Sequence, residues 1–260
     1  MIFITTNKQM KKEKHEIRIW AVLIWLLVWQ LVSMRLGSDI LLVSPVRVIR
    51  RLGYLMGTAA FWKTILFTLS RIATGFFAAA ATGCVLAAAA SYFQKMQELL
   101  APVILVMKSV PVASFIVLAL IWFSSRNLSV LISFLMVLPV VYTNVLAGIG
   151  SVDRELLEMA QVFRMPKMRV TRYIYLPQIL PFFYAACRVS LGLCWKAGVA
   201  AEVIGIPRGS VGERLQQAKV YLDTPDLFAW TIVIVVLSLT FEKLVLHLIK
   251  RLACVLEHVK

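Results

Sequence analysis

Residues 151–177 read SVDRELLEMAQVFRMPKMRVTRYIYLP, and they separate one long apolar run, 128–149, from another, 178–204. Each flanking run has about the 20 residues that a helix needs to cross the hydrocarbon of a bilayer. A polar stretch between two such runs has to lie at one membrane face, because lipid satisfies no exposed backbone groups. The stretch itself predicts two short helices with a turn between them. Asp153 suits the cap of the first, and Glu155 suits its positively polarised start. Leu156, Leu157, Ala160 and Phe163 share an apolar face. Pro166 ends that helix and can open the next.

Working outward, the whole chain has the composition of a protein solvated by lipid. Of its 260 residues 60% are hydrophobic and 16% charged, against about 45–50% and about 25% for a soluble domain. Four further runs join the two above: 17–36, 65–91, 100–123 and 227–248. The expected fold is therefore all-α, with six transmembrane helices in a single domain. A basic start with Lys8, Lys11, Lys12 and Lys14 precedes the first run. That pattern also opens a signal peptide, but the run is long and no small-x-small cleavage site follows Arg35, so an uncleaved helix is expected. Ser44-Pro45 opens a segment broken by Arg47, Arg50 and Arg51, which reads as an interfacial helix. In the second run Gly75, Ala79, Gly83 and Ala87 recur every four residues, a stripe that lets another helix approach closely. Residues 205–225 read as a polar loop.

The net charge of +15 does not point to nucleic acid. The cations sit between apolar runs and form no stripe interleaved with aromatic residues. With six crossings, fifteen Lys/Arg fall on the side of the termini and of 151–177, and eight on the other. The positive-inside rule places both termini and 151–177 in the cytoplasm. Trp62, Trp122 and Trp230 are then expected at the outer interface and Trp20 at the inner one.

Five charges fall within apolar runs: Arg71, Lys108, Arg188, Lys196 and Glu202. Near the bilayer centre each costs at least about 2.5 kcal/mol, so such groups face a bundle interior or a watery path. Arg71 is close enough to its helix end to snorkel. Pro111 follows Lys108 and is expected to kink that span, which would present a cation to an anionic solute, with an interior ion pair or snorkelling as the alternatives. Arg188 and Glu202 share a helix face about 21 Å apart and cannot pair with each other. The candidate translocation path takes Lys108, Pro111, Arg188, Trp195 and Glu202.

The 151–177 segment resembles the EAA motif of binding-protein-dependent ABC importer permeases, which runs E-A-A, three residues, G, nine residues, I-x-L-P. Glu158, Ala160, Ile174, Leu176 and Pro177 fall at that spacing. Met159 replaces the first alanine and Arg164 the glycine. Pro166 is expected to supply the turn in its place, with Arg164 in helical or extended angles. From about residue 40 onward the chain is similar to the branch serving taurine, alkanesulfonates, nitrate, bicarbonate and pyrimidine-type vitamin precursors. The similarity rests on Ser44-Pro45, Thr68–Arg71, Lys108–Pro111, Trp122-Phe123 and Trp195–Glu202. The resemblance implies type I ABC importer permease architecture and a non-catalytic role. It also implies two copies of an ATPase subunit, an extracytoplasmic solute-binding protein and a second copy of this chain as partners. The ATPase-coupling set it implies is Glu158, Ala160, Phe163, Arg164, Pro166, Leu176 and Pro177.

No cofactor or metal is expected. A Gly-x-x-x-x-Gly-Lys-Ser/Thr loop is absent, so ATP is hydrolysed by another chain. The four cysteines form no C-x-x-C pair, and small buried hydrophobes are the better reading of them. A membrane-embedded enzyme would need a polar cluster at one face, and none can be assembled. A self-contained secondary transporter would call for an internal repeat or broken helices, and neither is clear in the sequence.

Overall fold

The computed structural model describes residues 19–37 and 42–258, with side chains placed for 20–37 and 42–251. The basic tail 1–18, which includes the expected start of the first span, lies outside the described residues, as do 38–41 and Lys260. Among the described residues every regular element is a helix. In chain order these are α1 (Ile19–Leu36), α2 (Pro45–Met56), α3 (Ala59–Tyr92), α4 (Gln94–Ser109), α5 (Val112–Trp122), α6 (Ser125–Gly150), α7 (Arg154–Val162), α8 (Lys167–Val170), α9 (Leu176–Gly205), α10 (Val211–Val220) and α11 (Thr224–His258).

Among the described residues, four helices are long and apolar enough to cross a membrane: α3, α6, the continuous rod Lys167–Gly205 that runs from α8 into α9, and α11. Helix α1 is apolar but shorter. The expected span at 100–123 is two helices, α4 and α5, bent by 108°. The sequence anticipates a kink; the structure makes a full break. Its cause is local. Pro111 lacks an amide and crowds the preceding residue out of helical angles. Val110 is accordingly extended (φ −77°, ψ 131°), and Pro111 then serves as the N-cap of α5. The broken helix that the sequence did not reveal is therefore present.

The core is built on α6, which packs between α3 and α9. The small-residue stripe makes the first contact. Gly75, Ala79, Gly83 and Ala87 are all buried, and a Cβ at Gly75 would lie 2.5 Å from the Val130 carbonyl oxygen and 2.8 Å from Ser133 Cβ. Around this seam Ile72, Phe76, Val137, Leu191 and Trp195 fill the centre, and Phe241 of α11 closes it, 5.9 Å from the Trp195 ring.

Helix α2 lies at one end of the bundle against α11. Ser44 is its N-cap residue but makes no side-chain capping bond, so Pro45 at the first turn carries the start signal. Arg51 anchors it by donating to Asp226 at 2.8 Å, a hydrogen bond that lifts the guanidinium above its ordinary range against the opposing effect of burial. Of the tryptophans expected at an interface, Trp20, Trp62 and Trp122 are exposed. Trp230 instead is buried against Phe61, 5.2 Å away, because α2, α3 and α10 close over it.

The stretch 205–225 is a correction. It contains α10, which packs on both α9 and α11. Its polar residues hide a capping box, Ser-x-x-Glu. The Ser210 hydroxyl accepts from the Glu213 amide at 2.9 Å, and the Glu213 carboxylate accepts from the amide of Gly209, one residue before the cap, at 2.6 Å.

Candidate functional site

The 151–177 segment hangs from α6 and α9 as a hooked pair. Asp153 caps α7 by accepting from the Glu155 amide at 3.0 Å. The Asp153 amide donates to the Gln178 side chain at 3.1 Å, which ties the start of α7 to the start of α9. Gln178 was not singled out from sequence; only its place one residue past the Leu176-Pro177 pair hinted at it. Val152, Ala160 and Ile174 are buried together, with Leu157, Met165, Val170 and Tyr175 packed around them. Ala160 is thus an inward anchor, and a larger side chain there has no room.

The turn differs from expectation at Arg164, which sits in the left-handed region at φ +50°. The reason is the way α7 ends. The Met165 amide donates to the Ala160 carbonyl at 2.9 Å and the Arg164 amide to the Gln161 carbonyl at 3.0 Å. That pair of reversed bonds is a Schellman motif, which needs a left-handed residue after the cap. Pro166 comes too late to make this turn and instead caps α8. Helix α8 is also not a separate short helix. It runs through a widened π turn, Thr171–Tyr175, into α9. Pro177 explains the widening: it brings no amide, and its ring crowds the carbonyl a turn earlier.

The outward side of the hook is apolar and charged at once. Phe163 (73% exposed), Val162 (79%) and Met168 (82%) project from it. Glu158, Arg164 and Pro166 are exposed, Leu176 is at the margin, and Pro177 is half-buried.

The path candidates divide into two sets. Lys108, beside the α4–α5 break at Pro111, is exposed and donates to the Thr143 hydroxyl of α6 at 3.4 Å. Arg188 is exposed on α9. Trp195 and Glu202 are enclosed within the chain, at 1% and 0% exposure, so the structure does not bring all five to one surface. Arg71 donates to Asn127 at 3.3 Å and lies over the Phe67 ring; because α3 begins at Ala59, it is twelve residues inside its helix and not near its end as expected.

Glu202 forms a knot between three helices. Its Oε2 accepts from the Thr68 hydroxyl of α3 at 2.8 Å and from the Gly212 amide of α10 at 3.3 Å. Thr68 in turn accepts from the Val211 amide at 3.0 Å. The carboxylate therefore sits at the N-terminus of α10, where the free amides and the helix dipole favour an anion. Gly212 permits the approach, since a Cβ there would overlap the Cβ and carbonyl carbon of Glu202.

The model of the family described as "binding-protein-dependent transport system inner membrane component" matches residues 72–253, most of the chain, from within α3 to within α11. The chain belongs to this family. Among similar proteins, the taurine transport system permease protein of Escherichia coli is 29% identical over 220 residues, covering 82% of this chain and 80% of that one. The nitrate import permease protein of Synechococcus elongatus is 29% identical over 192 residues, covering 70% and 68%. The putative aliphatic sulfonates transport permease protein of Bacillus subtilis is 27% identical over 213 residues, covering 81% and 77%. These three relatives are permeases named for taurine, nitrate and aliphatic sulfonates. A solved amino acid ABC transporter shares its fold, with a TM-score of 0.61 at 19% identity, covering 77% of this chain and 97% of that one.

Proposed function

We propose that this permease is the membrane-spanning, non-catalytic subunit of an ATP-driven importer in the bacterial inner membrane, with both termini cytoplasmic. Two copies form the path, two copies of a separate ATPase subunit bind their 151–177 segments, and an extracytoplasmic binding protein delivers the solute. The cargo is a small anionic or polar solute of the sulfonate, taurine, nitrate, bicarbonate or vitamin-precursor kind. Relatives that carry taurine, nitrate and sulfonates support the cargo class.

One observation carries the coupling role. The hook is locked to its own membrane helices by the Asp153–Gln178 bond and by the buried Val152, Ala160 and Ile174, while Val162, Phe163 and Met168 stay open to solvent. Exposed apolar side chains on a rigid mount suit a partner surface. Because Lys167–Gly205 is one rod, a push on the hook moves a transmembrane helix directly. Alternating access would follow as the ATPases close and draw the two hooks together. Glu158, Arg164, Pro166, Leu176 and Pro177 complete the coupling set. Lys108, Pro111 and Arg188 face the path, and Trp195 and Glu202 support it from within.

The reading is tested by purifying the chain with its genomic neighbours and reconstituting them in proteoliposomes. The expected result is an ATPase that co-purifies with it and ATP-dependent uptake of taurine, nitrate or an alkanesulfonate. Glu158→Lys should lower both association and uptake. Unchanged association and uptake in that variant would remove the coupling assignment.

A further inference from the structure

The hook is electrically lopsided. Its acids, Asp153, Glu155 and Glu158, all lie at the cap or on the first helix, where Arg154 is the one cation among them. From Phe163 to Tyr175 there is no acid at all, and Arg164, Lys167, Arg169 and Arg172 are all exposed. The three most exposed apolar side chains of the hook, Val162, Phe163 and Met168, flank Arg164 where this basic half begins. The left-handed turn places Arg164 at the corner between the end of α7 and the start of α8. Backbone strain alone does not single this residue out, since Ile206 and Leu222 also end helices at positive φ. Its surroundings do.

Two anionic surfaces could meet such a patch, lipid headgroups or an acidic protein. The reach of the rod favours the protein. Lys167 lies eleven residues, about 16 Å at the α-helical rise, before the apolar run that starts at 178. A headgroup layer is only about 5–8 Å deep on each side, so a rod standing near the membrane normal holds the corner clear of the lipid. Apolar side chains held beside a cation in water fit a partner cleft with an apolar floor and a charged rim.

Resting on the coupling role proposed above, we infer that the ATPase cleft receiving this hook is rimmed by acidic side chains on the side facing Arg164–Arg172, and that Arg164 is a specificity-determining contact for the cognate ATPase. The acidic first helix repels the same rim and so fixes the orientation of the hook in the cleft.

The test measures association of the co-purified ATPase with wild-type chain, Arg164→Glu, Arg164→Gly and Phe163→Ser, across a salt series. Arg164→Glu is expected to weaken association roughly tenfold, and Arg164→Gly less, with a shallower salt dependence than wild type. A Glu→Lys or Asp→Lys change on the cleft rim of the ATPase should restore the Arg164→Glu chain. If Phe163→Ser weakens association while Arg164→Glu leaves affinity and salt dependence at wild-type values, the acidic rim is refuted and docking stands. If neither variant matters, docking itself fails and takes this inference with it. If Arg164→Glu instead changes only the dependence of uptake on anionic lipid, the patch reads headgroups and the inference is overturned.

Discussion

At the scale of single residues, the informative positions are those where a side chain or its absence is forced by a neighbour. Gly212 is one. Any Cβ there meets the backbone and Cβ of Glu202, so Gly212→Ala should destabilise by about 1–3 kcal/mol, as overpacked cores do. Thermal unfolding in detergent would show this as a lowered midpoint. Glu202 itself is zero per cent exposed. Glu202→Leu leaves the Thr68 hydroxyl and the Gly212 amide without their acceptor, at about 1–3 kcal/mol for each buried group. Glu202→Gln keeps one carbonyl oxygen for the same two donors and should lose clearly less. Equal losses in both variants would mean that the knot contributes nothing beyond packing. Arg164→Gly goes the other way: relief of the left-handed strain should stabilise the turn by about 1 kcal/mol, seen as slower amide exchange at Arg164 and Met165. Of these residues, Glu202 and Arg164 were legible in the sequence, one as a charge in an apolar run and the other as a departure from a motif. Their partners were not. Thr68 and Gly212 are ordinary residues 134 and 10 positions from Glu202, and no local pattern joins them.

Among the elements, the periodic ones read best. The stripe at Gly75, Ala79, Gly83 and Ala87 has one physical use, close helix approach, and α3 meets α6 along it. Gly75→Leu should therefore separate α3 from α6 and lower the unfolding midpoint more than Gly53→Leu, a position with open space around it. The α4–α5 pair reads less well. Proline announces an interruption, but its angle depends on what the two halves pack against: Ile104 of α4 joins the main cluster, and Ile116 and Ala119 of α5 join a second one with Leu128 and Ala197. Pro111→Ala should ease the restriction on Val110. Spin labels at the exposed Leu99 and Val117, in a chain with its native cysteines replaced, would report a longer distance if the bend opens. An unchanged distance would assign the bend to these packing contacts instead. Helix α10 was missed because apolar periodicity is the usual helix signal, and this helix is polar. Its Ser210–Glu213 box was readable and went unread.

For the whole molecule, composition and run length specify a multi-pass membrane protein, and the exposed apolar surfaces of α1, α5 and α11 fit a lipid or protein covering. Orientation rests on the asymmetry of Lys and Arg. It predicts that Val162→Cys is labelled by an impermeant thiol reagent only from the cytoplasmic side and Val220→Cys only from the outer side. Both residues are well exposed, so labelling of both from one side would reverse or break the topology. The sequence by itself determined the class of solvent, the approximate positions of the apolar runs and the hook at 151–177. All three are written in local composition and spacing, which need no knowledge of distant contacts. The tertiary structure decided the 108° angle of the α4–α5 break and the knot of Glu202 with Thr68 and Gly212. Both depend on which surfaces meet, whereas the α10 cap and the Arg164 turn rest on bonds within a few residues. A buried carboxylate is tolerable only where donors from other helices reach it, and the placing of those donors is a property of the packed bundle.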